Sequence, residues 1–382
     1  MIYLDNSATT KPHKEVLNTF LQVNESYYAN PSSIHEAGVE ANALLDRARG
    51  QIADLLHTEN QYVLFTAGGT ESNNFAVFGI TKANTHKGKH IITTEVEHPS
   101  IIEAVKSLRN DGYEVDFLKV DENGVISLEE LQTKLRKDTV LVSIMHVNNE
   151  IGAIQPINEA AKIIHENSRA AFHVDAVQSF GKLPIGFKDE EGPDIITISG
   201  HKIHGLKGSG IIAFRKKMNI IPLLLGGGQE QGLRSGTVAV PLAVATAKAA
   251  RIACENMGKS TRKYRKWHND LLEFLTEFGE NIHLLSGKPG AAHILSFSVK
   301  DLKGEILINA LQKRGIIVST SSACSSKQKK TSHVVEALNI HSNFKKGVIR
   351  LSFGELNTDE DILEFKKAFT DVMKELKGDK SQ

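Results

Sequence analysis

Residues 139–177 read TVLVSIMHVNNEIGAIQPINEAAKIIHENSRAAFHVDAV. An apolar, β-branched run (TVLVSIMHV, 139–147) gives way to an amphipathic segment (PINEAAKIIHENS, 156–168) and then to a second apolar run (AAFHVDAV, 170–177). Strands buried on both faces read as continuous apolar runs, and parallel strands need a crossover between them, so this is a β-α-β unit. The alternation extends both ways. QYVLFTA (61–67), HIITTEV (90–96) and YEVDFLKV (113–120) precede it, DIITIS (194–199) and GIIAF (210–214) follow, and PSIIEAVKSLRNDG (99–112) and SLEELQTKLRK (127–137) supply helices. The expected fold class is α/β, with a large domain whose mostly parallel sheet is covered by helices.

Beyond this region a glycine-rich loop, GGGQEQGLRSGT (226–237), leads into a long helical pattern over about 240–278 that reads as a bridge. After it HILSFSV, GEILINALQKRG, IIVST, HVVEALNI, GVIRLSFG and DEDILEFKKAFTDVMKEL alternate again, enough for a second, small α/β domain. The expected division is 15–256 for the large domain, and 1–14 with 257–382 for the small one, which carries a serine-rich run, STSSACSS (319–326), around Cys324. A chain of 382 residues has room for two cores.

Lys and Arg number 46 against 45 Asp and Glu, so no large positive field marks nucleic acid as a direct partner. Only two cysteines occur, no signal-peptide pattern opens the chain, and no apolar run approaches the ~20 residues of a membrane span. Cytoplasmic residence with reduced thiols is expected, and no membrane association.

Three segments carry chemistry. LFTAGGTESNN (64–74) runs an apolar strand into Gly68, Gly69 and Thr70 and then a helical pattern; this is either a phosphate cradle or a plain strand-to-helix turn capped by Thr70. In FHVDAVQSFG (172–181), Asp175 and Gln178 fit a capping box equally well as a buried carboxylate opposing a pyridinium nitrogen. In DIITISGHKIHGLKGSG (194–210), a strand delivers Ser199, His201, Lys202 and His204 into a glycine-rich turn, where a desolvated lysine can form a Schiff base. His201 and His204 lack the further ligands of a metal site, so no metal is expected.

Together these segments resemble the fold-type-I pyridoxal phosphate enzymes, whose aspartate aminotransferase-like fold has a large and a small domain. YLDNSATT, ANPSSIHEAG, TAGGTESNN, EHPSI, HVNNEIG, HVDAVQSFGK, SGHKIHGLKG, GGGQEQGLRSGT, SSAC and VIRLSFG narrow the resemblance to the cysteine desulfurases of the nitrogenase-associated and housekeeping iron–sulfur type. It implies pyridoxal 5'-phosphate as cofactor, Lys202 as its Schiff-base lysine, Asp175 as partner of the ring nitrogen, and His98 as the imidazole over the ring and an acid/base. Gly69, Thr70, Ser199 and His201 would hold the phosphate, with Thr237 reaching in across a homodimer, and Gln178 and Asn149 would meet the ring oxygen. Strand alternation would let only one of Asn148 and Asn149 face the cofactor. Arg350 would take the substrate carboxylate, and Asn30 would also bind substrate.

The implied reaction turns L-cysteine into L-alanine and leaves a persulfide on Cys324, for transfer to a protein acceptor such as an iron–sulfur scaffold or a tRNA-thiolating enzyme. The chain ends soon after its last helical pattern, which favours a dedicated acceptor such as the latter. A thiol of ordinary pKa, about 8.5, is mostly protonated at pH 7, so His98 or the KQKK run (327–330) is expected to favour the thiolate. Two departures stand out: Ser321 where relatives carry glycine, expected to stiffen the loop, and Leu206 where proline is common, expected to matter little. Cys254, inside RIACENMG, reads as a packed core residue. The rival readings are a selenocysteine lyase or aminotransferase of the same fold type, which need no Cys324, and a non-catalytic scaffold for sulfur transfer.

Overall fold

The computed structural model describes residues 1–187, 192–287, 290–320 and 331–378. Its strands are β1 (Ile2–Tyr3), β2 (Val63–Thr66), β3 (His90–Thr94), β4 (Glu114–Leu118), β5 (Thr139–Met145), β6 (Ala171–Asp175), β7 (Ile195–Ser199), β8 (Gly210–Phe214), β9 (Ile282–Leu284), β10 (Ile294–Val299), β11 (Ile316–Ile317) and β12 (Val348–Ser352). Seven form one sheet in the order β2-β8-β7-β6-β5-β3-β4. Only β8 runs against the others, so the sheet is mostly parallel. All residues of β3, β5, β7 and β8 are buried, which is why these strands read as unbroken apolar runs rather than alternating ones.

The helices are α1 (Lys14–Ser26), α2 (Glu36–Leu56), α3 (Gly69–Asn74), α4 (Ile80–Ala83), α5 (Pro99–Asn110), α6 (Leu128–Lys134), α7 (Ile157–Asn167), α8 (Val240–Thr276), α9 (Gly304–Lys313), α10 (His333–Ala337) and α11 (Asp359–Gly378). A π-helical turn, Phe75–Gly79, joins α3 to α4. The α5, α6 and α7 segments match the amphipathic stretches of the sequence, whereas α1 and α2 were not anticipated. The apolar positions of α1 are sparse, since it buries only Val16 and Val23.

Helix α8 explains how the two parts of the chain are joined. Its first half buries Val240, Ala243, Ala247 and Ala250 in one core with α2 and the sheet residues Ile196 and Ile211. Its second half buries Tyr264, Trp267, Leu271 and Phe274 in another, with Phe297, Ile349, Phe365 and Phe369. The alanines let α8 lie close to its neighbours, while the aromatic half fills a wider space with edge-on ring contacts. The expected boundary at 256/257 falls within this single helix.

The second core is covered by the antiparallel sheet β12-β10-β9 and the parallel pair β1-β11. Leu4 belongs to this core, and Asp5 bridges to Ser352, so the amino terminus is stitched beside β12. From there residues 7–10 run to the end of β7: Thr10 donates from its amide and hydroxyl to the His201 carbonyl.

Candidate functional site

In open α/β sheets ligands bind beyond the carboxyl ends of the strands. Here β5, β6 and β7 are parallel neighbours, so Met145, Asp175 and Ser199 emerge at the same edge. A single 3-10 turn, Gly200–Lys202, follows β7 and returns the chain toward β8. It needs glycine at its start: a Cβ on Gly200 would lie 2.3 Å from Ser209 Oγ. The turn aims Lys202 at the amino-terminal loop, where Nζ donates to the carbonyls of Ser7 and, at 2.8 Å, Ala8. His201 Nδ1 lies 3.1 Å from Thr9 Oγ1, and His204 turns away to the Lys11 carbonyl.

Asp175 is only 4% exposed. Its Oδ1 accepts from the Val177 amide at 2.9 Å and no helix follows, so the capping-box reading of Asp175 and Gln178 does not hold. Gln178 instead donates from Nε2 to the Ser7 carbonyl at 3.0 Å, and its buried Oε1 has no partner among the described residues. Asp175 Oδ2 accepts from Asn73 Nδ2 at 2.7 Å. The same Asn73 nitrogen donates to Ser100 Oγ at 2.9 Å, and Ser100 Oγ lies 2.8 Å from His98 Nδ1. Two residues thus link the carboxylate to the imidazole.

His98 is the N-cap of α5, its Nδ1 accepting from the Ser100 amide, with Pro99 in the first turn. Burial lowers its pKa; the Asp175 charge raises it, and those of Lys202 and His333 lower it further, which places these groups around one ring. Burial and the Lys202 charge push His201 down to about 4. Lys182, whose Nζ donates to the Lys202 carbonyl at 3.2 Å, is pushed down to about 7 by burial and by the same charge.

The Gly68–Gly69 turn opens α3, with Gly68 at φ 154° as N-cap; Thr70 is not the cap and is exposed. Gly69 lies against the site: an added Cβ would meet Val177 Cγ2 at 3.0 Å and Ser199 Cβ at 3.4 Å. Ser199 Oγ is buried and has no partner among the described residues. Glu71 ties this turn to the glycine-rich loop, accepting from Arg234 Nε at 2.8 Å and from the Ala67 amide at 3.0 Å.

Arg350, in β12, is 4% exposed and reaches the amino-terminal loop. Its Nη2 donates to Asp5 Oδ1 at 2.7 Å and its Nη1 to the Asn149 carbonyl at 2.8 Å, while its buried Nε has no partner among the described residues. Alternation does not separate Asn148 from Asn149, because β5 ends at Met145. The Asn148 side chain is consumed by the turn instead, accepting from the amides of Glu150 and Ile151 and donating to the Val96 carbonyl. Asn30 is exposed and accepts from the Ser32 amide, and Thr237 is exposed on the glycine-rich loop. Neither hydrogen-bonds to Asp175 among the described residues. Cys324 and Ser321 lie outside the described residues. Cys254 packs beside the first core, its thiol pushed up to about 11 by burial.

Sequence reasoning missed Asp5, Asn73, Lys182, Glu97 and Ser100. The usable signal was polarity in an apolar setting. Asn73 follows Ser72 on the inner face of α3, and Glu97 sits between Val96 and a histidine, yet both are at most 1% exposed. Glu97 is pushed up to about 8 by burial, with the Asp175 charge adding to it, while its Oε1 accepts from the Met145 amide at 2.8 Å and Thr94 Oγ1 at 2.9 Å.

The aminotransferase class-V family model matches residues 2–365. A curated relative in Archaeoglobus fulgidus, "Cysteine desulfurase IscS 1", is 38% identical over 99% of this chain and 98% of its own. The "NifS/IcsS protein homolog" of Lactobacillus delbrueckii is 41% identical over 97% of each. A solved "NIFS-LIKE PROTEIN" superposes with a TM-score of 0.91 at 36% identity, covering 97% of this chain and 99% of that one. The chain belongs to the aminotransferase class-V family, and its full-length likeness is to proteins of the IscS and NifS kind.

Proposed function

We propose that the site described above runs a pyridoxal-phosphate-dependent cysteine desulfurase, with Lys202, His98, Asp175 and Arg350 as its working side chains and Cys324 as the sulfur carrier. The enzyme is a cysteine desulfurase of fold type I, and its cofactor is pyridoxal phosphate. The observation that carries the site reading is the convergence of a lysine amine, a buried carboxylate and an imidazole at the ends of β6 and β7 and the start of α5. The donor set suits the cofactor: a carboxylate for a ring nitrogen, an amine for an aldehyde, and a buried, unpartnered Ser199 hydroxyl beside the Gly68–Gly69 turn for a phosphate. His201 and Thr70 would also serve the phosphate, and Gln178 and Asn149 the ring oxygen.

When bound, pyridoxal phosphate supplies an aldehyde for amino groups and an electron-accepting ring that makes a Cα proton removable. Asp175 would hold the ring-nitrogen proton. Lys202 would hold the aldehyde, and its Nζ would take the Cα proton of the substrate. Arg350 binds the substrate carboxylate, with Nε the donor that Asp5 and Asn149 leave uncommitted. The Cys324 thiolate attacks the substrate sulfur; the S–S bond forms, the Cβ–S bond breaks, and a proton equivalent to that of the thiol ends on Cβ. Overall, L-cysteine and a thiol become L-alanine and a persulfide.

The protein works as a homodimer in this reading, with Thr237 completing the partner's phosphate site. Supporting it, Thr237 is exposed here, and so are Leu223, Leu224 and Leu225 just before the glycine-rich loop. The acceptor is a protein, either an iron–sulfur scaffold or a tRNA-thiolating enzyme, and the reaction belongs to the cytoplasm. Among the described residues no helix is long and apolar enough to cross a membrane. Incubating purified protein with pyridoxal phosphate and L-cysteine tests the reading: alanine and persulfide should appear, Lys202→Ala should abolish both, and Cys324→Ala should stop persulfide formation while the cofactor absorbance persists. Turnover of selenocysteine but not cysteine would favour the selenocysteine lyase alternative.

A further inference from the structure

The link between Asp175 and His98 has a direction that hydrogen-bond chemistry dictates. A carboxylate only accepts, so Asn73 must face Asp175 with its NH2 group, not its oxygen. The other side of the amide agrees: Asn73 Oδ1 lies 2.5 Å from Thr197 Oγ1, which donates to it. Thr197 then accepts from His173 Nε2 at 3.0 Å, and His173 Nδ1 accepts from Ser143 Oγ at 2.9 Å. All of these residues are at most 4% exposed, so no water competes for the donors. With one Asn73 hydrogen on Asp175, the second points at Ser100 Oγ, 2.9 Å away. A hydroxyl that accepts there has its own hydrogen free for one partner, and the atom within reach is His98 Nδ1 at 2.8 Å.

We propose that Asn73 is a positioning residue that sets the protonation pattern of His98: anchored on Asp175, it turns the Ser100 hydroxyl onto Nδ1, so His98 meets the reaction as a neutral imidazole with its hydrogen on Nε2. The Ser100 amide, 3.1 Å from Nδ1, enforces the same tautomer. Burial acts in the same direction by disfavouring the imidazolium, and the charged or titratable groups around the ring are Asp175, Lys202 and His333. Protonating Nδ1 would require the Ser100 hydroxyl to present its remaining lone pair there and turn its hydrogen away, and with Asn73 Nδ2 on one side that hydrogen has no other acceptor among the described residues. His98 therefore enters the cycle able to give a hydrogen from Nε2, and not to take one at Nδ1. This inference rests on the assignment of His98 to the reaction site proposed above, while its hydrogen-bond logic concerns this chain alone.

Nitrogen NMR of holoenzyme labelled with 15N-histidine, with the His98 signals assigned by loss in His98→Gln, tests it. Wild type should show an unprotonated Nδ1 and a protonated Nε2. In Asn73→Ala the hydroxyl is released to accept from Nδ1–H, and in Ser100→Ala it is gone, so the His98 titration midpoint should move up in both. Ser100→Ala removes a single oxygen and keeps the measurement available if Asn73→Ala does not fold. A wild-type Nδ1–H form overturns the proposal, as does a midpoint that stays in place in either folded variant. L-cysteine turnover by wild type, measured alongside, reports on the desulfurase site separately: its absence would remove that reading and leave the tautomer result standing.

Discussion

Asp5 and Arg350 are separated by 345 residues and meet as an ion pair, Oδ1 to Nη2, 2.7 Å apart at the junction of the amino-terminal loop and β12. With the Asn149 carbonyl on Nη1, the pair spreads the guanidinium's donors in separate directions and leaves Nε without a partner among the described residues. A lysine keeps the charge but not the fork. Arg350→Lys is expected to lower kcat/KM for L-cysteine about tenfold, the loss of one charge-assisted hydrogen bond of roughly 1.5 kcal/mol. Asp5→Ala leaves the arginine nearly buried with one partner fewer and should destabilise the fold by about 2 kcal/mol in denaturant titrations, below the range for a fully buried pair because Asp5 is partly exposed.

Asp175→Asn removes the charge that holds the ring-nitrogen proton while keeping the side chain's shape. Cofactor binding, followed by absorbance, should survive. The rate of alanine formation should fall on the order of 10²–10³-fold, as when a preorganised electrostatic group is lost from an active site.

Among the described residues eight histidines are pressed toward neutrality by burial: His146, His201 and His204 to about 4, His173 to about 3, His293 well below the ordinary value, and His90, His98 and His283 below it. Each has a folded pKa below its unfolded one, so its contribution is present above about pH 6.5 and lost as pH falls. Glu97 and Glu150, raised to about 8 and about 7, act oppositely from about 4.5 upward. The histidines outnumber them. Unfolding free energy measured between pH 6.5 and 4.5 should therefore drop as the solution is acidified; a flat or rising curve would contradict the burial of these rings.

Glu97→Gln isolates one opposing group. A raised carboxyl is more protonated in the folded chain than in the unfolded one, so stability falls as pH rises from about 4.5 through 8, with a slope of up to about 1.4 kcal/mol per pH unit. The variant should be less sensitive to alkalinisation in that window, and the difference between the two proteins' pH–stability curves should carry this slope.

The sheet was legible because its strands are apolar on both faces: Ile195 and Ile196 point to opposite sides and both are fully buried, so no alternation obscured the run. The positions of Asp175 at the end of β6 and of Lys202 in the turn after β7 were legible because an apolar run stops just before a polar or glycine-rich stretch. Asn73 and Asp5 were not. Asn73 looks like any polar residue of a helix until β6 is placed beside it, and Asp5 acquires its role only through an arginine at the far end of the chain. Hydrogen bonds of this sort carry no periodic trace in sequence. The Asn148–Asn149 argument failed for a related reason: it assumed a strand that stops at Met145, and the following turn uses the Asn148 amide for its own backbone.

The central claim is that L-cysteine loses its sulfur to Cys324 through a site assembled by Lys202, Asp175, His98 and Arg350. Mass analysis of the peptide bearing Cys324, after one turnover with isotopically labelled L-cysteine and without acceptor, tests it most directly. The account predicts one labelled sulfur on that peptide, one labelled alanine per sulfur, and neither in Lys202→Ala. Alanine formed with the label on Cys254, or with no labelled sulfur on the protein, would contradict it.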